Sequence, residues 1–140
     1  KTEQHVRLPL KQWHTATGEK RVKVDPDGQY AHSVFTICRE FSNFTLVDVG
    51  LKTGRTHQIR VHMQHLVHPI AGDERYGDFT RNRELTKKGL KRMFLHAWKI
   101  KFPHPLLGTE MALEAALPKA LESFIHKLSA SEKQDYGQAL

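Results

Sequence analysis

The sequence predicts an α+β fold, a mixed and mainly antiparallel sheet with packed helices. Three observations predict it. Strand-like segments are followed by a helical one, and that order then repeats. Two runs rich in Val, Ile, Phe and Thr, at 32–41 and 44–51, are separated only by Ser42-Asn43, which reads as an antiparallel hairpin. Beyond Thr56, Ile59, Met63 and Leu66 recur at i, i+4 and i+7, one face of a helix.

The elements follow in order. Arg21-Val22-Lys23-Val24 alternates polar and apolar residues like a half-buried strand, and Asp25-Pro26-Asp27-Gly28 reads as a turn. After the hairpin, Thr53 or Thr56 can cap a helix over 56–67, and Pro69 stops it. Its apolar side is Ile59, Met63, Leu66 and Val67, with Arg60 at the edge. Residues 72–77 form a turn. Residues 79–90 read either as a short polar helix or as a mobile loop, mobile over 80–90 without a ligand. Residues 93–102 read as a strand, 103–108 as a turn and 110–115 as a strand. Pro118 opens a last helix with Leu121, Phe124, Ile125 and Leu128 on one face.

The chain has 140 residues, enough for one domain or for half of a larger one. It lacks an apolar run of about 18 residues, so no transmembrane helix is expected. Its start is polar and carries no Met, which suggests a piece of a longer protein. The 22 Lys and Arg exceed the 15 Asp and Glu, a net charge of +7. The excess is concentrated: residues 75–101 hold nine basic and two acidic side chains, the equivalent of the whole surplus. No acid occurs from Val49 to Gly72. A basic segment of this kind suits phosphate contacts, through Arg81, Arg83, Lys87, Lys88 and Lys91.

Arg60 is the candidate for chemistry. A guanidinium at the edge of an apolar face is costly to desolvate unless it meets an anion. That anion can be a structural carboxylate, a catalytic carboxylate or a phosphate. His57, His62, His65 and His68 lie close by, but the stretch has no carboxylate ligand, so hydrogen-bonding or RNA-facing histidines are expected rather than a metal site. A Ser-His pairing from Ser33 or Ser42 has no nucleophile-elbow context.

The run Leu51-Lys52-Thr53-Gly54-Arg55-Thr56-His57-Gln58-Ile59-Arg60-Val61-His62-Met63 closely resembles the signature of the RluA-type pseudouridine synthases. It is followed by His68-Pro69-Ile70-Ala71-Gly72-Asp73-Glu74-Arg75-Tyr76-Gly77-Asp78, Phe94-Leu95-His96-Ala97 and Phe102-Pro103-His104-Pro105, in the family's order. The basic insert is similar to that of the RluC branch, which modifies large-subunit ribosomal RNA.

The resemblance implies a cytoplasmic isomerase that turns uridine into pseudouridine in 23S-type ribosomal RNA, without metal or cofactor. It implies an aspartate in a His-Arg-Leu-Asp motif, which this sequence lacks. Residues 1–140 therefore read as the C-terminal part of a catalytic domain, inactive alone, whose partners are RNA and the N-terminal half. By the same resemblance Arg60 pairs with the absent aspartate and Leu95 packs against the target base. Lys52, Arg55 and His57 would approach the RNA backbone. A non-catalytic RNA-binding module and a structural half-domain remain as alternatives.

Overall fold

The computed structural model describes residues 2–139, with side chains described to residue 130. The chain runs β1 (Glu3–Val6), β2 (Leu10–His14), β3 (Lys20–Val24), β4 (Ser33–Glu40), β5 (Thr45–Leu51), α1 (Gln58–His65), α2 (Phe79–Lys87), β6 (Lys99–Pro103), β7 (Glu110–Glu114) and α3 (Lys119–Ala139). The class is α+β, as expected. The expected hairpin is β4–β5, closed by a Phe41 N–H bond to the Phe44 carbonyl of 2.8 Å.

The strands make three sheets, β1–β4–β5, β2–β3 and β6–β7, rather than the single mixed one expected. Every strand pair among the described residues is antiparallel. Parallel pairing needs a long crossover, and the helices here do not serve as one. Ser33 stands opposite both Val6 and Leu51, so the start of β4 is the covered centre of its sheet.

Two apolar clusters hold the elements together. Leu10, Val22, Ala31, Val61 and Tyr76 join the β2–β3 hairpin to α1 and the loop after it. Leu85, Leu90, Leu121 and Phe124 join α2 to α3, with Phe44 and Phe94 against them. The segment expected to be mobile, 80–90, is therefore an anchored helix for most of its length. Asp78 caps it, accepting the Arg81 N–H, and Leu85 and Leu90 bury its apolar side.

Helix α1 departs most from expectation. Its buried residues are Gln58, Val61 and His62, not the Ile59–Met63–Leu66 stripe, and Val67 is 80% exposed. Hydrogen bonds described below make Gln58 and His62 the better-satisfied inward face. Neither Thr53 nor Thr56 caps the helix. His57 takes the cap position in a left-handed conformation, φ 54°. The helix also stops before Pro69. Val67 is left-handed at φ 65°, and His68 N–H reaches back to the Met63 carbonyl, closing the last turn. Residues 93–98 are irregular rather than a strand. The Phe94 N–H binds the Ala71 carbonyl instead of a strand partner.

Candidate functional site

At 100° per residue, Arg60 and His62 project about 160° apart on α1. Each side of the helix is fastened by polar contacts. Inward, His62 is fully buried, with Nε2 2.9 Å from the Leu8 carbonyl and Nδ1 2.9 Å from Ser33 Oγ. A carbonyl only accepts, so Nε2 carries the proton and the Ser33 hydroxyl donates to Nδ1. The Gln58 amide donates to Ser33 Oγ and to the His32 carbonyl, while its oxygen accepts from Thr53 Oγ1 and the Arg55 N–H. Every polar atom of this inward face is paired. Burial, foremost, holds the His62 imidazole below its ordinary pKa.

Outward, Arg60 meets Asp73. Arg60 Nε and Nη2 donate to Asp73 Oδ2 and Oδ1 at 2.9 and 2.8 Å, a bidentate pair. Asp73 Oδ1 also accepts the backbone N–H groups of Arg75 and Tyr76. Asp73 is 1% exposed and the Arg60 side chain 19%. Burial pushes the Asp73 carboxyl up, but the Arg60 guanidinium and the two N–H groups outweigh it, and the net direction is down. Arg60 is correspondingly raised, first by that hydrogen bond.

Arg60 Nη1 has no partner among the described residues. No buried side-chain nitrogen or oxygen among them lacks one, so this edge opens to solvent. The guanidinium carbon lies 5.1 Å from the centre of the Tyr76 ring. The Tyr76 hydroxyl accepts the Val22 N–H at 3.0 Å and lies 2.8 Å from His57 Nδ1. If His57 Nδ1 carried a proton, the Tyr76 hydrogen would be buried without an acceptor, at a cost of about 1–3 kcal/mol. The satisfied arrangement has Tyr76 donating to Nδ1 and the His57 proton on Nε2. Burial, then Arg60 and Arg75, lowers the His57 pKa and favours this neutral form.

The turn that carries Asp73 is tied to its neighbours. The Asn82 side chain from α2 accepts the Gly72 N–H and donates to the Asp73 carbonyl. Gly72 has φ 80°, and a Cβ there would stand 2.4 Å from the Arg92 carbonyl oxygen. This close approach, with the Phe94 N–H on the Ala71 carbonyl, brings the 92–94 segment against the turn that carries Asp73.

The structure thus brings together Arg60 and His57 on Tyr76, while Leu95 is half-buried just after the 92–94 segment that packs at Gly72. Lys52 and Arg55 lie exposed in the β5–α1 loop, with Arg55 Nε spent on the Tyr30 carbonyl. Arg81, Arg83, Lys87, Lys88 and Lys91 form an exposed group on and just after α2. Arg81 stacks over Phe44 and donates to the Asn43 carbonyl. A structural carboxylate is one of the anions the sequence allows beside Arg60, but the sequence does not single out Asp73. The bidentate partner is in this chain, so the structural carboxylate among those alternatives is present. Asp73 is the first acid after the acid-free stretch, a signal that pointed to it. Tyr76, Gln58 and Asn82 were also missed as site residues.

Residues 1–65 match the family described as RNA pseudouridylate synthase. The ribosomal large subunit pseudouridine synthase C of Haemophilus ducreyi is 41% identical over 127 residues, covering 91% of this chain and 40% of that protein. Its namesake in Escherichia coli K12 is 42% identical over 125 residues, covering 88% and 39%. Among solved structures, human RNA pseudouridylate synthase domain containing 4 superposes with a TM-score of 0.63 at 23% identity, covering 91% of this chain and 56% of that one. The corresponding domain containing 1 gives 0.58 at 20%, covering 93% and 60%. These two superpositions speak to fold. The chain spans about 40% of the length of the bacterial relatives it matches.

Proposed function

The chain belongs to the RNA pseudouridylate synthase family, and from that membership we propose that the complete protein isomerises uridine to pseudouridine in large-subunit ribosomal RNA. One observation carries the reading. Arg60 is held by a bidentate pair with Asp73 and keeps an open Nη1 edge. In this reaction the uracil is detached from its ribose, turned, and rejoined through carbon, and a carboxylate has to work at the nucleotide. Asp73 is unsuited to that work, being 1% exposed with both oxygens occupied. As the family resemblance implies, the working carboxylate comes from the N-terminal half of the domain, outside these 140 residues, and the fragment alone is inactive. Arg60 keeps that carboxylate ionised and oriented, because a nearby cation favours the charged form.

Leu95 packs against the target base once it leaves its stack, a step that costs a few kcal/mol and is offset by pocket and backbone contacts. Lys52, Arg55 and the group Arg81, Arg83, Lys87, Lys88 and Lys91 neutralise phosphates along the bound RNA. No helix among the described residues is long and apolar enough to cross a membrane. A ribosomal RNA substrate supports a cytoplasmic protein.

The test is to map pseudouridines in large-subunit ribosomal RNA from cells with and without the complete protein. At least one site should vanish on deletion and return with the wild-type gene. Arg60→Lys should not restore it, since a point charge cannot keep the Asp73 fork and serve a second carboxylate. Identical maps with and without the protein would end the proposal.

A further inference from the structure

We propose that His57 is a second binding residue of this site, donating its Nε2–H to a phosphate oxygen of the RNA nucleotide seated beside Arg60, as a neutral donor and not as a cation. The inference rests on reading the site as one that binds RNA. Four observations carry it. His57 Nδ1 is anchored at 2.8 Å on a Tyr76 hydroxyl whose other bond is fixed by the Val22 N–H. The proton is thereby placed on Nε2. Nε2 has no partner among the described residues, and since no buried side-chain nitrogen among them is unsatisfied, it faces solvent. The backbone of His57 is left-handed at φ 54°, a conformation rare outside glycine that here aims the ring at Tyr76.

The surroundings select the ligand. His57 feels Arg60, Arg75 and Lys20, while the charge of Asp73 is matched by Arg60. A cationic setting around an outward N–H favours an anionic oxygen over a base carbonyl, and on RNA that oxygen is a phosphate. His57 and Arg60 both lie on the Tyr76 ring, with centroid and guanidinium distances of 5.4 and 5.1 Å. A nucleotide at Arg60 therefore lies within reach of the imidazole.

Two substitutions in the complete protein separate this role from a purely structural one. His57→Asn tolerates the left-handed backbone and offers an amide at the Nδ1 position, so it keeps the Tyr76 contact but loses the outer donor. His57→Gln places an amide nitrogen near the Nε2 position. Binding is measured to an unmodified transcript of large-subunit ribosomal RNA over a salt series. His57→Asn should weaken binding about tenfold, the order of one hydrogen bond to a charged acceptor. The plot of log affinity against log salt should shift in parallel, because a neutral donor releases no counterion. His57→Gln should stay within about threefold of wild type, and single-turnover rates on saturating RNA should change far less than affinity.

Unchanged affinity in His57→Asn overturns the proposal. So does a salt slope that flattens by about 0.7, which would mark His57 as a cation. So does a loss of turnover with affinity intact, which would place His57 on the catalytic carboxylate. If His57→Asn does not fold, His57→Gln decides alone, a tenfold loss counting against. Binding needs no turnover, so a protein that binds this RNA without isomerising it would refute the proposed function while leaving His57 tested.

Discussion

Removing either partner of the Arg60–Asp73 pair should destabilise the fold more than removing both would suggest by addition. Breaking a buried ion pair by deleting one member costs about 3–5 kcal/mol, because the other charge is left uncompensated. Arg60 is 19% exposed, so water reaches it, and Asp73→Ala should sit at the low end, about 3 kcal/mol. Arg60→Ala leaves Asp73 at 1% exposure with only two backbone N–H donors, and about 3.5 kcal/mol is expected. The double variant lacks the stranded charge. With a coupling of about 2 kcal/mol it should lose about 4.5 kcal/mol, not 6.5. The assay is urea unfolding of the complete protein, where at about 2 kcal/mol per molar each single variant moves the midpoint by roughly 1.5 M. Asp73→Asn should resemble Asp73→Ala, since its amide nitrogen would face the Arg60 donors. The pH dependence follows from the lowered Asp73 pKa. The carboxylate's contribution is complete above its unfolded value and is lost as pH falls through its folded value. Wild type and Asp73→Asn should therefore differ fully above the unfolded reference value of about 3.9 and converge below it, as pH falls through the lowered folded value. Coupling below about 0.5 kcal/mol would mean that the two side chains act independently, and the account of the site would fail.

Three further outcomes follow from the same structure. Gly72→Ala should cost about 3 kcal/mol, read in the same urea assay, because it combines a left-handed backbone with a Cβ 2.4 Å from the Arg92 carbonyl oxygen; no loss would mean the 92–94 segment moves freely. Replacing Arg83, Lys87 and Lys91, which form no ion pair with another described residue, by Gln should flatten the RNA-binding salt slope by about 2, at about 0.7 per phosphate on single strands. An unchanged slope would make α2 a solvated face. His62 has a lowered pKa, so the unfolded state binds its proton first and stability should fall as pH drops below about 6.5, levelling off at the folded value. His62→Asn should remove part of that acid limb, and a full limb in the variant would assign it to other histidines.

The β4–β5 hairpin was readable from two runs rich in Val, Ile, Phe and Thr on either side of Ser42-Asn43, and α3 from the period of its apolar side. Phe35 and Val34 lie in the sheet core, and Leu121 and Phe124 repeat at i and i+3. Strands β1 and β2 were not readable. Each buries one residue, Val6 and Leu10, and Glu3-Gln4-His5 or Lys11-Gln12-Trp13 shows no alternation. Backbone pairing to β4 and β3 decides them, and such pairing leaves little trace in side-chain pattern. The inversion of α1 has a related cause. Hydrophobic periodicity assumes that apolar residues face inward, yet Gln58 and His62 find five fixed partners in Ser33, Thr53, the Arg55 N–H and the His32 and Leu8 carbonyls. A buried polar face with all its bonds made is as good an anchor as an apolar one, and it also fixes rotation about the helix axis.

That rotation is what makes the outward side a site. With Gln58 and His62 pinned inward, Arg60 must face the 73–76 turn. Asp73 then fixes the guanidinium from one edge, and Tyr76 fixes both the guanidinium face and the His57 tautomer. The resemblance named Arg60 because its motif contains it, but gave no geometric reason for an arginine that cannot swing. The reason lies thirteen residues away, in a carboxylate that a helix-face argument does not reach. Arg60 Nη1 and His57 Nε2 are left as outward donors whose orientation is set before any ligand arrives. Donors held in place in this way do not have to be ordered when ligand binds, and the entropy of ordering them is spent on folding instead.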